Sequence, residues 1–207
     1  NALRNAGSLY VVRDTLRALE GLGRAARARS GARIVAVTGS VGKTSTRNMI
    51  ATVLSEKYRV LQTEKNFNNE IGLPKTLLQL TPDHEACVVE MGMRGLGQIA
   101  ELAAIGEPTI GVVTNVGKSH IELLGSQENI AKAKAELVQA LDEKGTAVLN
   151  GDDPFVRPMT ALCKGKTVLY GTDDQAAVRA DHIVCDQQGV RFHCSGAGQS
   201  FDVSVPV

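Results

Sequence analysis

The chain has 207 residues, of which 43% are hydrophobic and 3% aromatic, and its formal net charge at pH 7 is +1. This length suits one large domain or a domain with an appendage, and aliphatic side chains must fill its core. Charges of both signs are interspersed, no apolar run reaches membrane-spanning length, and no signal peptide is visible. We therefore expect no nucleic-acid partner and no membrane insertion.

The N-terminal region is predicted to lead into the main domain. Residues 1–30 are expected to form a linker and a lead-in helix with Asp14 as its N-cap, and residues 31–207 the domain itself. The chain starts with Asn1 and not with methionine, so we expect a fragment of a longer protein. Its four cysteines show no CxxC pair and no zinc-type spacing, which favours reduced thiols in a cytoplasmic protein.

A glycine loop lies between a predicted buried strand and a helix predicted over Thr46–Glu56, where Met49, Ile50, Val53 and Leu54 recur at helical spacing. In the loop, Gly39–Thr44, glycines allow backbone N–H groups to face phosphate oxygens. Lys43 adds a full charge, and the hydroxyl of Thr44 can ligate Mg²⁺. Because Val37 stands where the common phosphate loop has its first glycine, the alternative is a simple turn with a solvated lysine. The strand before the loop and the helix after it favour a nucleotide site.

Strands and helices then alternate along the chain. Further strands are predicted over residues 59–63, 86–90, 109–113, 146–149 and 167–170. This alternation predicts an α/β fold with a doubly wound, mostly parallel sheet and a P-loop-type nucleotide site. Short strands joined by glycine-containing turns predict a small antiparallel β appendage over residues 176–207. Ser126 is the expected N-cap of the helix before the fifth strand.

Polar side chains follow several predicted strands, where open α/β sheets place their ligand loops. Thr44, Glu90 and His120 each occupy such a position and could together hold Mg²⁺, although imidazole is an unusual ligand for so hard an ion. The alternative for His120 is a loop histidine bonded to backbone. Glu90 follows an apolar run and would be costly to bury unless it were paired or bound to metal.

A polar loop with three asparagines follows the second predicted strand, and it contains Asn66, Asn68, Asn69 and Glu70. Asparagine tolerates left-handed backbone conformations, so the alternative is a turn without further function. Three asparagines and a glutamate exceed what one turn needs. The position after a strand favours a ligand loop.

Five motifs occur in a fixed order: Thr38–Thr46, Asn66–Gly72, Glu90–Arg94, Thr114–His120 and Ala133–Leu137. Together they resemble the Mur ligase family, the ATP-dependent amide ligases of peptidoglycan precursor synthesis. The resemblance runs from about Asp14 to the end of the chain and concerns the central, ATP-binding domain of the family. Leu96 and Gln98 depart from the proline and glutamate that are usual in the similar subtype.

The resemblance implies roles for individual residues. Those implied to bind ATP are Thr38, Gly39, Ser40, Val41, Gly42, Lys43, Thr44, Ser45 and Asn115. Thr44 and Glu90 would bind one Mg²⁺, and His120 would help hold a second with a carbamylated Lys134. Lys43, His120 and Lys134 would be the catalytic residues. UDP-N-acetylmuramoyl-tripeptide would be bound by Asn66, Asn68, Asn69, Glu70 and Arg94.

Position on a helix supports Lys134, rather than Lys132, as the modified lysine. The helix carries an apolar stripe of Ile130, Leu137 and Leu141. At about 100° per residue, Lys134 lies in the middle of this stripe and Lys132 nearly opposite. Desolvation lowers the pKa of a lysine, and the neutral amine is the form that reacts with CO₂. The alternative is an unmodified lysine in an ion pair with Glu90.

The implied reaction has two steps. ATP would phosphorylate the terminal carboxylate of the UDP-linked tripeptide, and the amine of D-alanyl-D-alanine would attack the acyl phosphate. The family has three domains, so this fragment alone is expected to be inactive, and the ligase is expected to be a monomer. Two alternatives remain: a folylpolyglutamate-synthetase-like ligase, which shares the short loop, and a non-catalytic nucleotide-binding switch. An Asn-Lys-x-Asp guanine motif, which would favour a switch, does not occur.

Overall fold

The computed structural model describes residues 10–119 and 121–206. The strands in this part of the chain are β1 Arg33–Thr38, β2 Val60–Gln62, β3 Ala86–Glu90, β4 Ile110–Val113, β5 Thr146–Asn150, β6 Lys166–Gly171, β7 Val178–Asp186, β8 Gly189–Gly196 and β9 Gln199–Pro206. They form one sheet in the order β2-β3-β1-β4-β5-β6-β7-β8-β9. Strands β1 to β6 pair in parallel, and β7 to β9 pair antiparallel. The predicted α/β fold is confirmed.

The helices are α1 Thr15–Arg29, α2 Lys43–Ser55, α3 Gly72–Leu77, α4 Gln98–Gly106, α5 Ile121–Leu124 and α6 Gln127–Gln139, with a 3-10 helix at Arg157–Leu162. Both predicted N-caps are confirmed. The Asp14 carboxylate accepts hydrogen bonds from the first turn of α1, and the Ser126 hydroxyl oxygen accepts one from the N–H of Asn129. Helix α5 and the 3-10 helix are not predicted from the sequence, because they are short and carry no periodic apolar pattern.

Helices cover both faces of the parallel part of the sheet. Because strand side chains alternate, Ile34 and Ala36 of β1 face the core formed with α3, α4 and α6. Val35 and Val37 face the opposite side, where α2 packs on the sheet. The carboxyl end of β1 therefore lies between α2 on one face and the α4–α6 layer on the other.

Helix α2 is confirmed, but it differs from the prediction in its start and in which side chains it buries. The helix begins at Lys43, three residues earlier than predicted, and Met49 and Val53 are 56% and 70% exposed. Arg47 is buried instead, with 5% of its surface exposed. The physical reason is electrostatic, because the Arg47 guanidinium lies 3.7 Å from the buried carboxylate of Glu90.

The predicted lead-in helix α1 is packed on the domain. A Cβ at Gly23 would lie 2.9 Å from the backbone of Pro74, so this glycine permits close contact with α3. The guanidinium of Arg27 donates a hydrogen bond to the carbonyl of Gly106 at the end of α4. The linker expected before this helix falls largely on residues 1–9, which lie outside the described residues.

The predicted β appendage is antiparallel, and it extends the main sheet. Strand β7 pairs in parallel with the end of β6 through Tyr170 and Gly171, and β8 and β9 continue from it. All four cysteines are free thiols. In the described part of the chain, no helix combines the length and apolar character needed to cross a membrane.

Candidate nucleotide-binding site

Two glycines shape the loop between β1 and α2. A side chain at Gly39 would overlap the hydroxyl of Thr114, so only glycine fits there. Gly42 has φ 79° and immediately precedes α2, a left-handed conformation that favours glycine. As a result, the free N–H groups at the start of α2 lie at the carboxyl end of β1, an arrangement that suits an anion.

The loop after β4 holds the glycine loop Gly39–Thr44, here called the phosphate loop, in place. The side chain of Asn115 accepts a hydrogen bond from the N–H of Val41 at 3.0 Å and donates one to its carbonyl at 3.1 Å. The Thr114 hydroxyl donates to the same carbonyl at 2.8 Å, and the N–H of Gly117 donates to Ser40 Oγ at 2.8 Å. The structure thus places Asn115, predicted to bind ATP, against the backbone of the loop.

Two residues at and just after the end of β5 hold the loop after β4 in turn, and neither was predicted to belong to the site. The Asp153 carboxylate accepts a hydrogen bond from the N–H of Val116 at 2.8 Å. Asn150 donates to the carbonyl of Thr114 at 2.9 Å. The neighbouring carboxylate of Asp152 accepts a hydrogen bond from a different loop, at the N–H of Thr172. In the sequence, these residues are visible as a polar run at the end of β5. A polar run by itself does not identify the residues that it contacts.

Glu90 lies at the centre of a buried polar cluster. It is 3% exposed, and its Oε2 accepts a hydrogen bond from the Thr44 hydroxyl at 2.8 Å. Its Oε1 accepts one from Asn68 Nδ2 at 2.8 Å, and Arg47 lies 3.7 Å away. The carboxylate is therefore paired, as its burial requires. Arg47 had not been predicted as part of this site.

The oxygens of Thr44 and Glu90 suit Mg²⁺. Both are hard ligands, and their separation of 2.8 Å is close to the roughly 3 Å between adjacent ligands in an octahedral Mg²⁺ shell. Within residues 10–119 and 121–206, no cluster of three or more His, Cys, Asp or Glu side chains could hold a metal ion. His120, the other predicted metal ligand, lies outside the described residues, and its role remains a prediction.

The ammonium of Lys43 lies over the phosphate loop. Its Nζ donates hydrogen bonds to the carbonyls of Gly39 at 2.9 Å and Ser40 at 3.3 Å. These are neutral acceptors, and among residues 10–119 and 121–206 no carboxylate forms a salt bridge with Lys43. To reach a phosphoryl group, its ammonium must exchange these two bonds for bonds to phosphate oxygens.

Lys134 is buried as predicted. It is 3% exposed within the apolar face of α6, whereas Lys132 is exposed. Burial, and secondarily the nearby charge of Lys43, lowers the pKa of Lys134 from 10.5 to about 7. The alternative ion pair with Glu90 is not present, because the salt bridge that Glu90 makes is with Arg47. A substantial fraction of Lys134 is thus a neutral amine near pH 7.

One cavity of about 700 Å³ joins the phosphate loop to the predicted substrate loops. Its walls include Thr38 at the end of β1, Gly39 in the glycine loop, Lys43 at the start of α2, Lys134 on α6, and the predicted substrate residues Asn68, Asn69, Glu70 and Arg94. The structure does not bring the predicted Asn66 and Ser45 to these walls, and both are exposed. The predicted ATP-binding residues and the predicted substrate-binding residues therefore contribute to one cavity.

The asparagine loop combines both of its possible roles. Asn69 Oδ1 accepts hydrogen bonds from the N–H groups of Gly72 at 2.9 Å and Ile71 at 3.3 Å, so it stabilises the start of α3. Asn68 instead orients the carboxylate of Glu90. The turn interpretation is therefore correct for Asn69, and the loop still contributes to the cavity wall.

Residues that the sequence reasoning missed complete the opposite wall. Asp14, Arg17 and Glu20 bring the first turns of α1 to the cavity. Gln98 Oε1 accepts hydrogen bonds from the backbone of Arg94 at 2.6 Å and of Gly95 at 3.2 Å. An amide oxygen thus makes contacts that a glutamate could also make, so the departure at this position preserves the loop.

Glu136 links α6 to this wall. Its two carboxylate oxygens accept hydrogen bonds from the N–H of Gly97 at 2.6 Å and of Ala100 at 3.0 Å. A carboxylate at these positions satisfies free N–H groups at the start of α4 and interacts favourably with the helix dipole. The helix that carries Lys134 therefore also fixes the start of α4.

A parallel sheet whose first strand runs through a glycine loop into a helix beginning with lysine defines a nucleotide-binding domain of the P-loop type. The family model described as the Mur ligase middle domain matches residues 37–207. The chain belongs to the Mur ligase family, which confirms the resemblance seen in its motifs.

Individual relatives narrow the comparison. The chain is 47% identical over 181 residues to UDP-N-acetylmuramoyl-tripeptide–D-alanyl-D-alanine ligase of Synechocystis sp., which covers 86% of this chain and 40% of that protein. A crystal structure of MurF from Acinetobacter baumannii has a TM-score of 0.90 at 29% identity, covering 99% of this chain and 46% of that one. MurF ligase from Thermotoga maritima in complex with ADP has a TM-score of 0.86 at 28% identity, covering 97% and 46%.

The folylpolyglutamate synthetases, which were the alternative ligase class, resemble this chain less closely than the MurF structures do. A structure of L. casei FPGS has a TM-score of 0.68 at 18% identity, a likeness that shows the fold alone. The chain spans about two fifths of the length of the curated relatives from Synechocystis sp. and Bacillus subtilis.

Proposed function

We propose that this domain binds ATP and carries out phosphoryl transfer within a UDP-N-acetylmuramoyl-tripeptide–D-alanyl-D-alanine ligase. The observation that carries the proposal is the cavity that joins Lys43 to Lys134, the asparagine loop and Arg94. A ligase must bring a phosphoryl donor and a carboxylate acceptor into one space. The relatives named above supply the substrate class.

In the first step, a carboxylate oxygen of the UDP-linked tripeptide attacks the γ-phosphorus of ATP, and the bond to the bridging oxygen of ADP breaks. The N–H groups at the start of α2 and the ammonium of Lys43 hold the β- and γ-phosphates. Thr44 and Glu90 would hold Mg²⁺, which neutralises charge on the transferring phosphoryl when it is bound. Ser40, Val41 and Asn115 keep the loop in the required shape through their hydrogen bonds.

In the second step, the amine of D-alanyl-D-alanine attacks the acyl carbon, phosphate leaves with the bonding electrons, and the amine loses a proton. A carboxylate alone is a poor electrophile, and the first step supplies the leaving group. We propose that Lys134 carries a carbamate during turnover, since its neutral amine is the form that reacts with CO₂. This would place an anion on the α6 side of the cavity. The carbamate is proposed to hold a second Mg²⁺ together with His120, as the family resemblance implies.

The polar residues on the other walls would face the tripeptide. Asn68, Asn69, Glu70 and Arg94 lie on the same cavity as Lys43. Arg94 offers a guanidinium to the carboxylates of such a substrate. Free thiols and the use of ATP suit the cytoplasm, which is where we place the reaction.

The decisive experiment is an ADP-release assay on the full-length ligase that carries this domain. We expect ADP release only when UDP-N-acetylmuramoyl-tripeptide and D-alanyl-D-alanine are both present. A nucleotide-dependent switch would hydrolyse ATP without them. Replacing Lys43→Ala should lower turnover by about a hundredfold or more. The thermal midpoint of unfolding should be unchanged, because the hydrogen bonds of Lys43 in the described part of the chain go to carbonyls of its own loop. Near-normal activity of this variant would contradict the proposed site.

A further inference from the structure

Thr38 is a buried polar residue at the floor of the cavity. It is the last residue of β1 and is 1% exposed, and its hydroxyl has no hydrogen-bond partner among residues 10–119 and 121–206. One other buried side-chain atom in that part of the chain, Arg179 Nε, is also unpaired. An unpaired buried hydroxyl lowers stability, so its presence calls for an explanation.

Strand alternation shows the direction of this side chain. Thr38 follows Val37, which faces α2, and therefore points to the same face as Ala36, toward the layer of α4 and α6. Lys134 lies on that layer, and Thr38 and Lys134 line the same cavity. The hydroxyl thus lies on the substrate side of the phosphate loop, away from α2.

Thr44 provides the contrast within the same loop. Its hydroxyl is at the start of α2 and is already bonded to Glu90 at 2.8 Å, on the side where the nucleotide phosphates and Mg²⁺ would be held. One hydroxyl of the loop region is therefore engaged on the nucleotide side, and the other is unpaired on the acyl side. The Thr44 hydroxyl is therefore suited to the nucleotide and its metal ion, and the Thr38 hydroxyl to a second ligand on the other side of the loop.

We propose that Thr38 is a catalytic residue whose hydroxyl donates a hydrogen bond to a carboxylate oxygen of the peptide substrate. This rests on the proposed ligase function and deepens it, since it moves Thr38 from the expected ATP-binding set to the acyl group. The oxygen concerned is the one that is not phosphorylated and that becomes the carbonyl oxygen of the new amide. When the amine attacks the acyl phosphate, this oxygen takes up negative charge, and the hydrogen bond strengthens.

The test compares Thr38→Val with Thr38→Ser in the full-length ligase. Valine keeps the shape of threonine and removes the hydroxyl, whereas serine keeps the hydroxyl. We expect Thr38→Val to lower kcat about a hundredfold, the lower end of the effect of removing one oxyanion donor. Thr38→Ser should retain a kcat within about tenfold of the wild type, because its donor remains.

Two further measurements separate this role from others. The Kd of a non-hydrolysable ATP analogue should be the same for Thr38→Val and the wild type, because the hydroxyl serves the acyl group. The thermal midpoint of Thr38→Val should equal or exceed that of the wild type, because no protein hydrogen bond is lost.

Several results would overturn the inference. Wild-type kcat in Thr38→Val would show that the hydroxyl takes no part, and weakened binding of the ATP analogue would return Thr38 to the nucleotide. A Thr38→Val protein that melts several degrees lower would show a structural partner for the hydroxyl. A wild-type ligase that releases ADP without the two substrates would instead refute the proposed function.

Discussion

The burial of Lys134 predicts an unusual dependence of stability on pH. Its pKa is lowered from 10.5 to about 7, chiefly by burial and secondarily by Lys43. At about 1.4 kcal/mol for each pH unit, the ammonium destabilises the folded state by about 5 kcal/mol at low pH. Between pH 7 and 10.5 the unfolded chain binds more protons than the folded one, so this penalty falls as pH rises through that window. Below pH 7 the penalty is constant.

Replacing Lys134→Met removes the charge and keeps an unbranched side chain in the apolar face of α6. We expect this variant to be more stable than the wild type by several kcal/mol at pH 6, by about 2 kcal/mol at pH 9, and by little at pH 10.5. Urea unfolding of the 207-residue chain in CO₂-free buffers measures these differences. Lys132→Met is the matched control, because Lys132 is exposed on the same helix and its replacement should change stability by less than about 0.5 kcal/mol.

The same proteins test the carbamate. In ¹³C-bicarbonate near pH 8, the wild type should give a carbamate carbon signal by NMR that is absent from Lys134→Met and present in Lys132→Met. Lower stability of Lys134→Met at pH 6, or a difference from the wild type that does not change with pH, would refute the reasoning that burial makes this amine neutral.

Two further substitutions probe the walls of the cavity in the full-length ligase. Glu90→Gln should raise the Mg²⁺ concentration for half-maximal activity several-fold, because an amide is a weaker ligand than a carboxylate; an unchanged Mg²⁺ dependence would make Glu90 purely structural. Glu136→Gln replaces one of two acceptors at the start of α4 and should loosen the wall that carries Arg94. We expect the KM for the UDP-linked tripeptide to rise several-fold with the KM for ATP unchanged, and parallel changes in both would contradict this positioning role.

The elements with strong local signals could be predicted from the sequence. Strand β3 was predicted with its observed bounds, Ala86–Glu90, and the glycine loop identified the end of β1. The burial of Lys134 followed from helical periodicity alone, since its position is set by neighbours on the same helix. These predictions use information within one element or between an element and its adjacent loop.

The errors concern contacts between distant parts of the chain. In α2, Met49 and Val53 are exposed and Arg47 is turned inward, because Arg47 pairs with Glu90 at the end of β3. Asp153 was given no role, and its hydrogen bond to the N–H of Val116 joins two loops that no local pattern connects. Periodicity weighs hydrophobicity, and it cannot show that a buried arginine has a carboxylate partner.

The two sides of the cavity differ in how their polar groups are satisfied. On the nucleotide side, Lys43 bonds to loop carbonyls and Glu90 bonds to Thr44 and Asn68, so a ligand there must exchange existing hydrogen bonds for new ones. On the acyl side, the Thr38 hydroxyl has no partner in the described part of the chain, so a hydrogen bond gained there replaces none. Exchange of one hydrogen bond for another contributes about 1 kcal/mol, whereas satisfying a buried unpaired group recovers its full desolvation penalty. A hydrogen bond from Thr38 to the acyl group should therefore contribute more free energy than the exchange of one neutral hydrogen bond for another, which favours stabilisation of the reacting acyl group at the floor of this cavity.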